Sequence, residues 1–564
     1  MGVPAPGQAP LVAADAAELI RRNGTDPEIA SRPAVHTRER TWTHGDVYAE
    51  ARRYAALFAD TLPAGRPPHV GVLADNIPEY LFTFAGAALV GATVVGLNPT
   101  RQGEHLLRDI HHADVGLLIS ETAHDADLDP IRGGLGVPVL RAGDELEAAL
   151  PADAEDAGRE PGPDTQWALI FTSGTSAAPK AVICTQRRLL VTGNRMRMLM
   201  DVGPDDVGYV CMPLFHSNAV MVGWAPSLVA GASVGLARKF SVSQWLPDVR
   251  RYGATWFNYT GKPLSYLVAS PEQPDDADNP LRVAFGNEGA PDIVDRFSRR
   301  FGVRVIDSFG ATEGGVAVNR EDGMPAAALG RAGEAVQVVD EDGHAKPVAR
   351  LDPDGRLLNP EECVGEIVNT AGTGPFEGYY NNDEANQRTT RNGWYWSGDL
   401  GYLDEDRFLY FAGRNADWIR VDGENFPAGP VEAALSRHPD VVVAAVYGVP
   451  DVTAGDQVMA TVVVREEASL DPVAFGAWID AQADLGPKWR PRYIRLAADI
   501  PTTGTNKILK RDLAVQKFRA DRIGGDVVWH RDRGEVAYRP FTPDDEAALL
   551  DALTTAGRQR FWDL

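Results

Sequence analysis

Thr172-Ser173-Gly174-Thr175-Ser176-Ala177-Ala178-Pro179-Lys180 follows the apolar run Trp167–Phe171. A buried strand that feeds a loop of hydroxyls, one glycine and one lysine suits a phosphate cradle, in which backbone N–H groups, O–H donors and a single cation face an anion. The loop is not a Walker A loop. Pro179 stands where that loop needs glycine, and Ala181 stands where a magnesium-binding Ser or Thr would follow the lysine. A solvated Ser/Thr loop has the same composition, so the reading depends on what surrounds the segment.

Outward from this loop, short apolar runs alternate with helical patterns. Val70–Leu73, Val115–Ile119, Val234–Leu236, Thr255–Tyr259, Val283–Phe285 and Val303–Ile306 read as buried strands. Glu104–His112 and Ile293–Phe301 read as amphipathic helices between them. Tyr80–Leu97, the longest apolar stretch, is interrupted by glycines and reads as a buried helix, a turn and a buried strand rather than a membrane span. Alternation on this scale predicts α/β lobes with largely parallel sheets. After Val364 the pattern changes to short turn-bounded strands, Gly365–Asn369, Gly401–Leu403 and Phe408–Phe411, as in a β-rich subdomain. From about Arg414 a compact α+β unit is expected, with helices Pro430–Arg437 and Pro472–Ala483 and strands Val441–Val449, Gln457–Val464 and Tyr493–Leu496. The fold class is therefore α/β and α+β, with a large N-terminal domain over residues 1–414 and a small mobile C-terminal domain over 415–564.

The 564 residues predict several lobes rather than one core. The formal net charge of -24 opposes binding to nucleic acid and to anionic membranes at long range. A polyanionic ligand would therefore need a local site of N–H groups and placed cations. Lysine is scarce beside arginine, which gives weight to any lysine inside a motif. Cys184, Cys211 and Cys363 have no metal or redox spacing and read as small buried hydrophobes of a reducing compartment. Met1–Ala14 lacks a basic segment followed by an apolar block, so no signal peptide, no stable membrane insertion and a cytoplasmic location are expected.

Read in order, further segments resemble those of the adenylate-forming superfamily of acyl-CoA synthetases, peptide-synthetase adenylation domains and luciferases. Thr172–Lys180 resembles its TSGT-x-x-x-PK signature. Pro213-Leu214-Phe215-His216-Ser217, Asp307-Ser308-Phe309-Gly310-Ala311-Thr312-Glu313, Trp396-Ser397-Gly398-Asp399, Gly413-Arg414 with Gly423-Glu424-Asn425, and Pro501–Lys507 resemble its later motifs. Gly286-Asn287-Glu288, the Gly423 segment and the tail around Trp529–Pro543 are similar to the fatty-acid-transport-protein branch of acyl-CoA synthetases.

That resemblance implies a two-step reaction. A carboxylate attacks the α-phosphate of ATP, giving acyl-AMP and pyrophosphate, and the coenzyme A thiol then displaces AMP. The first step brings two anions together. At about 4 Å their repulsion is of order 4 kcal/mol at an effective dielectric of 20, which cations and oriented donors must offset. By resemblance Lys507 bridges the carboxylate and α-phosphate, and Glu313 holds Mg2+. Thr312 contacts the α-phosphate, and Thr172, Ser173, Gly174, Thr175, Ser176 and Lys180 hold the phosphates. Phe309 stacks on adenine, with Glu288, Gly289 and Ala290 opposite and Asp307, Ser308 and Gly310 alongside. Asp399 accepts from the ribose hydroxyls beside Arg414. His216 borders the acyl tunnel, whose walls are expected at Met221–Trp224 and Trp256–Gly261. The C-terminal lobe rotates between the half-reactions, presenting either Lys507 or the Gly423 loop, the latter forming the pantetheine channel. The implied partners are a hydrophobic carboxylic acid or its adenylate and coenzyme A, with room for a homodimer.

The chain departs from the family in two places: the phosphate loop, where Ala177 and Ala181 stand for the usual glycines, and the hinge. If the Ala177 position needs positive φ, alanine costs about 1–2 kcal/mol, or about tenfold in rate. Ala416 replaces the usual Asp or Lys at the hinge. These departures leave two alternatives to the full ligase: an enzyme that uses acyl-AMP made by a separate adenylating enzyme, and a non-catalytic acyl-adenylate or acyl-CoA binding protein.

Overall fold

The computed structural model describes residues 12–172, 179–287, 289, 291–321, 323–325, 327–352, 357–414, 418–421, 424–452, 456–482, 485–502, 508–556, 559 and 562. Ser173, Gly174, Thr175, Ser176, Ala177, Glu288, Ala290, Ala416, Gly423 and Lys507 lie outside them.

The architecture is mixed α/β, with a large N-terminal domain and a small C-terminal one. A seven-stranded sheet holds Val139–Arg141, Leu117–Ser120, His69–Leu73, Thr93–Gly96 and Gln166–Phe171 in parallel. Ala181–Thr185 and Tyr379–Tyr380 extend it antiparallel. An eight-stranded sheet carries six parallel strands with an antiparallel strand at each edge, Thr41–Thr43 and Ala317–Asn319. Parallel strands are covered on both faces and so read as continuous apolar runs; that is why these strands are visible in the sequence. The expected strand Val115–Ile119 starts later, at Leu117, because Asp114 adopts a left-handed φ of 47° and turns the chain there.

Tyr80–Leu97 divides as expected. Helix Pro78–Val90 is buried almost all round, Gly91 closes it, and Thr93–Gly96 enters the sheet. Gly96 matters for the site. A Cβ there would lie 2.8 Å from the Phe215 carbonyl oxygen, so only glycine lets the segment Pro213–Ser217 lie against this sheet.

An antiparallel sheet follows, built from Gly330–Arg331, Phe408–Arg414, Trp394–Leu403, Gly365–Asn369 and Val336–Val339, with Thr390–Arg391 paired to Trp394–Leu403. The C-terminal sheet runs Val441–Pro450, Asp456–Val464, Tyr493–Leu496, Val527–His530 and Arg539–Pro540. Period-two alternation sends Val458, Ala460 and Val462 to one apolar cluster and Met459 and Val463 to another. Both faces are therefore covered. Leu553, of helix Pro543–Thr555, together with Phe518 and Trp562, closes the second face, so the tail is structural. Tyr266, on helix Lys262–Ala269, donates from its hydroxyl to Asp499 at 3.0 Å, joining the C-terminal sheet unit to the larger part.

Candidate active site

The two ends of the phosphate-loop segment are fixed by strand pairing. Phe171 pairs with Ala181 in antiparallel register, and the Thr172 N–H donates to the Lys180 carbonyl at 2.9 Å. The strands on either side of the loop pair antiparallel. The next helix, Gln186–Met200, starts only after Ala181–Thr185. Among the described residues the segment after Lys180 is thus a strand, in contrast to the helix that follows a Walker A loop.

Thr185 caps that helix by accepting from the Arg188 N–H at 3.2 Å, and its own hydroxyl donates to Glu377 at 2.6 Å. The cap aims Arg188 inward, where its guanidinium donates to the carbonyls of Ile183 (3.0 Å), Thr312 and Glu313 (3.1 Å). Strand Arg304–Gly310 delivers the segment that follows it, Ala311–Glu313, to the same place. The Thr312 hydroxyl lies 2.9 Å from that of Ser217, which joins this segment to the His216 segment. Glu313 is 8% exposed and accepts from the Tyr379 hydroxyl at 2.7 Å. The Lys180 ammonium lies 5.4 Å from the centre of the Tyr379 ring. Tyr379 therefore links the lysine of the phosphate segment to the buried carboxylate.

Asp307 is buried and accepts from the Tyr259 hydroxyl at 2.7 Å and from the Gly289 N–H at 2.9 Å. A Cβ at Gly289 would come within 2.7 Å of the Asp307 carboxylate, so this approach requires glycine. Asn287 donates to the Ser308 carbonyl at 3.1 Å. Phe309 faces Phe411 across 5.9 Å between ring centres. Asp399 is 6% exposed and its N–H donates to the Ser397 hydroxyl at 3.1 Å. In the neighbouring strand Arg414 is its register partner. Glu366 accepts from the Gly398 N–H at 2.9 Å and from Arg391 at 3.4 Å, and burial raises its carboxyl above the ordinary range.

Most of these residues line one cavity of about 2710 Å³. Its walls include Thr172, Lys180, His216, Gly289, Asp307 to Glu313 and Asp399, drawn from all three large sheets and the loops beside them. Ile508, Leu509 and Lys510, which follow Lys507 in the chain, line it from the C-terminal side. Ile508 bridges to Thr502, so the described residues on both sides of 503–507 are held together. Lys510 pairs with Glu432 at 2.9 Å.

The expected tunnel wall is only partly on the cavity. Met221 and Val222 line it from a π-helix, Asn218–Trp224, a form of helix common at functional sites. Thr260 and Gly261 line it too. Trp256 and Phe257 do not. Both are fully buried core, because the strand Trp256–Thr260 lies in the interior of its sheet and only its C-terminal end opens on the cavity. The sequence reading missed Arg188, Glu366 and Tyr379, since a lone Arg, Tyr or Glu carries no spacing signal, and it placed Tyr259 in the tunnel wall rather than on Asp307.

Glu313 suits a divalent cation. It is an acceptor-only carboxylate on the cavity wall, and one of its oxygens accepts from Tyr379. Two other groups of ligand-capable side chains among the described residues, Asp75–Glu121–His124 and Asp340–Asp342–His344, do not line the cavity. In the first, Arg238 pairs with both Asp75 and Glu121, so the carboxylates already have a cation.

The AMP-binding enzyme family matches residues 27–380, and the AMP-binding enzyme C-terminal domain matches 430–507. A steroid-22-oyl-CoA synthetase of Rhodococcus jostii is 46% identical over 551 residues, covering 96% of this chain and 98% of the relative. The medium/long-chain-fatty-acid–CoA ligase FadD17 of Mycobacterium marinum is 47% identical over 476 residues, covering 84% and 91%. Among solved structures, an anthranilate CoA ligase in complex with anthranoyl-AMP aligns with a TM-score of 0.76 at 21% identity, covering 90% of this chain and 98% of that one. No helix among the described residues is long and apolar enough to cross a membrane.

Proposed function

This chain belongs to the AMP-binding, adenylate-forming enzymes, and from that premise we propose how its residues divide the work of an AMP-forming acyl-CoA synthetase. ATP, a hydrophobic carboxylic acid and coenzyme A are its substrates. A carboxylate oxygen of the acid attacks the α-phosphorus and pyrophosphate leaves. The coenzyme A sulfur then attacks the acyl carbonyl and AMP leaves.

The observation that carries the assignment is the single cavity. It gathers Lys180, Thr312, Glu313 and Asp399 beside an apolar pocket bounded by Met221 and Val222. Lys180 and the Thr172 hydroxyl lie at the two ends of the phosphate loop and would hold the triphosphate. Asp399 would accept from the ribose hydroxyls and Phe309 would cover the adenine face. Thr312 would donate to the α-phosphate, with its rotamer fixed by Ser217. Glu313 would hold Mg2+, which when bound neutralises phosphate charge. Lys507 would offset the repulsion between the two reacting anions, brought in by the loop between Thr502 and Ile508. His216 would flank the acyl carbonyl at the mouth of the apolar pocket. Rotation of the C-terminal lobe, with 1–414 as the fixed unit and 415–564 as the moving one, would withdraw Lys507 and bring the Gly423 loop to the pantetheine channel.

The names of the two near relatives support a long apolar acid, a fatty acid or a steroid side-chain acid. A cytoplasmic site of action fits the three buried free cysteines. The reading requires neither a homodimer nor a separate adenylating enzyme, because every group named lies on one chain. The test is acid-dependent ATP–pyrophosphate exchange across fatty and steroid acids, followed by synthetic acyl-AMP with coenzyme A, scored by mass spectrometry. Exchange with an apolar acid and formation of its thioester are expected. Thioester from acyl-AMP without exchange for any acid would restrict the enzyme to the second step. Neither reaction would refute the assignment.

A further inference from the structure

Three arginines of helix Gln186–Met200 line the cavity: Arg187, Arg188 and Arg195. The first two are already engaged. Arg187 pairs with Asp164 at 2.9 Å, and Arg188 is bound to three carbonyls. Arg195 has no ion pair, hydrogen bond or ring contact with any described residue, although acidic residues outnumber basic ones by 79 to 55 in this chain. It is part-buried, and burial lowers its guanidinium from the ordinary value with no carboxylate acting against that. Apolar residues are among its neighbours on the helix. Val191 precedes it by one turn, and Met196 beside it joins the cluster that contains Phe285, with Val222 packed against it. A half-desolvated cation without a partner is costly unless something that enters the cavity supplies one.

The position along the helix sets where that partner would lie. Arg188 marks the reacting end, since it binds the Thr312 and Glu313 carbonyls. Arg195 lies seven residues further on the same face, about 10 Å along the axis at the α-helical rise. Met221 and Val222 line the apolar part of the same cavity.

We propose that Arg195 is a specificity-determining residue that donates to an acceptor oxygen, a ketone or a second carboxylate, carried by the acid about 10 Å from its reacting carboxyl group. The inference rests on the synthetase reading above and deepens it. The enzyme's substrates would be apolar acids with a distal oxygen function rather than plain hydrocarbon acids. Arg195 would orient the substrate and take no part in bond making.

The test uses the full-length protein and matched pairs of acids. One pair is a straight-chain acid and its terminal methyl ketone, a second is the same acid and its α,ω-diacid, and a third is a steroid side-chain acid with and without a ring ketone. Acid-dependent pyrophosphate exchange, which needs no coenzyme A, gives kcat/KM for each. The oxygenated member of at least one pair is expected to be preferred about tenfold, the scale of one charge-assisted hydrogen bond. That preference should vanish in Arg195→Met and be partly kept in Arg195→Lys. ATP affinity reports whether each variant is folded. Ketone and carboxylate acceptors are told apart by which pair responds. Exchange with plain acids, with no difference within any pair or with a preference that survives Arg195→Met, overturns the inference alone. A raised KM for coenzyme A in the acyl-AMP reaction, with exchange preferences unmoved, overturns it in favour of a phosphate contact. Absence of exchange with every acid overturns the synthetase reading and this inference with it.

Discussion

Removing one oxygen from Tyr379 tests the link between the phosphate segment and the buried carboxylate. The Tyr379 hydroxyl donates to Glu313 at 2.7 Å, and both side chains are below a tenth exposed. A hydrogen bond to a charged group contributes about 1.5–3 kcal/mol, and a buried carboxylate that loses its donor retains the cost of desolvation. Tyr379→Phe keeps the ring beneath Lys180 and deletes only that donor. If the hydrogen bond holds Glu313 in the orientation adenylation uses, exchange should fall about 10- to 100-fold in kcat/KM, the range set by that energy. Thioester formation from synthetic acyl-AMP involves no triphosphate and should fall less than about threefold, well under one factor of ten. Tyr379→Leu also removes the cation–π contact, a further loss of about 0.5–1 kcal/mol. Equal losses in both half-reactions would mean that the contact only supports the fold. An unchanged exchange rate would mean that Glu313 needs no help from Tyr379. Either result refutes the reasoning.

Two further predictions concern stability. Arg188→Met removes the donors that tie helix Gln186–Met200 to Thr312 and Glu313; it should lower unfolding free energy by about 2–4 kcal/mol in a denaturant titration and slow exchange more than thioester formation. Asp109 is buried beside Arg101, and burial pushes its carboxyl up to about 6 from the ordinary 3.8. A folded-state value above the unfolded one means that the folded chain holds the proton more tightly, so Asp109 contributes stability at low pH that is lost as pH rises through about 6. Denaturant midpoints between pH 4 and 7 should show that slope in the wild type, and Asp109→Asn should flatten it.

The resemblance was readable because each motif is a short run with little freedom of composition. Gly365–Asn369, Glu104–His112 and Tyr493–Leu496 are placed in the structure as their periodicity predicts. The strands of the parallel sheets were visible because they are covered on both faces. Ends were less legible. The first strand residue after Asp114 is set by a left-handed turn that hydropathy does not encode. Trp256–Gly261 illustrates the same limit at the site. Apart from Asn258, every residue of that run is apolar, aromatic or small enough for a tunnel wall, yet only its last two face the cavity. Which end of a buried strand opens on a cavity depends on the order of its neighbours.

The sequence by itself determined the superfamily of this protein: Thr172–Lys180, Thr312-Glu313, Asp399 and Lys507 stand in motifs whose order identifies it. Local rules suffice for that, because a motif's residues are contiguous and their spacing is fixed by the chain. Only the tertiary structure decided which isolated side chains serve the site. Tyr379 reaches Glu313 because two sheets meet at the cavity. Arg188 and Arg195 share one helix face, yet one is bound to carbonyls and the other has no described partner. That difference depends on which groups lie across the cavity, and these come from parts of the chain more than a hundred residues away. Long-range packing fixes it, and spacing along the sequence does not.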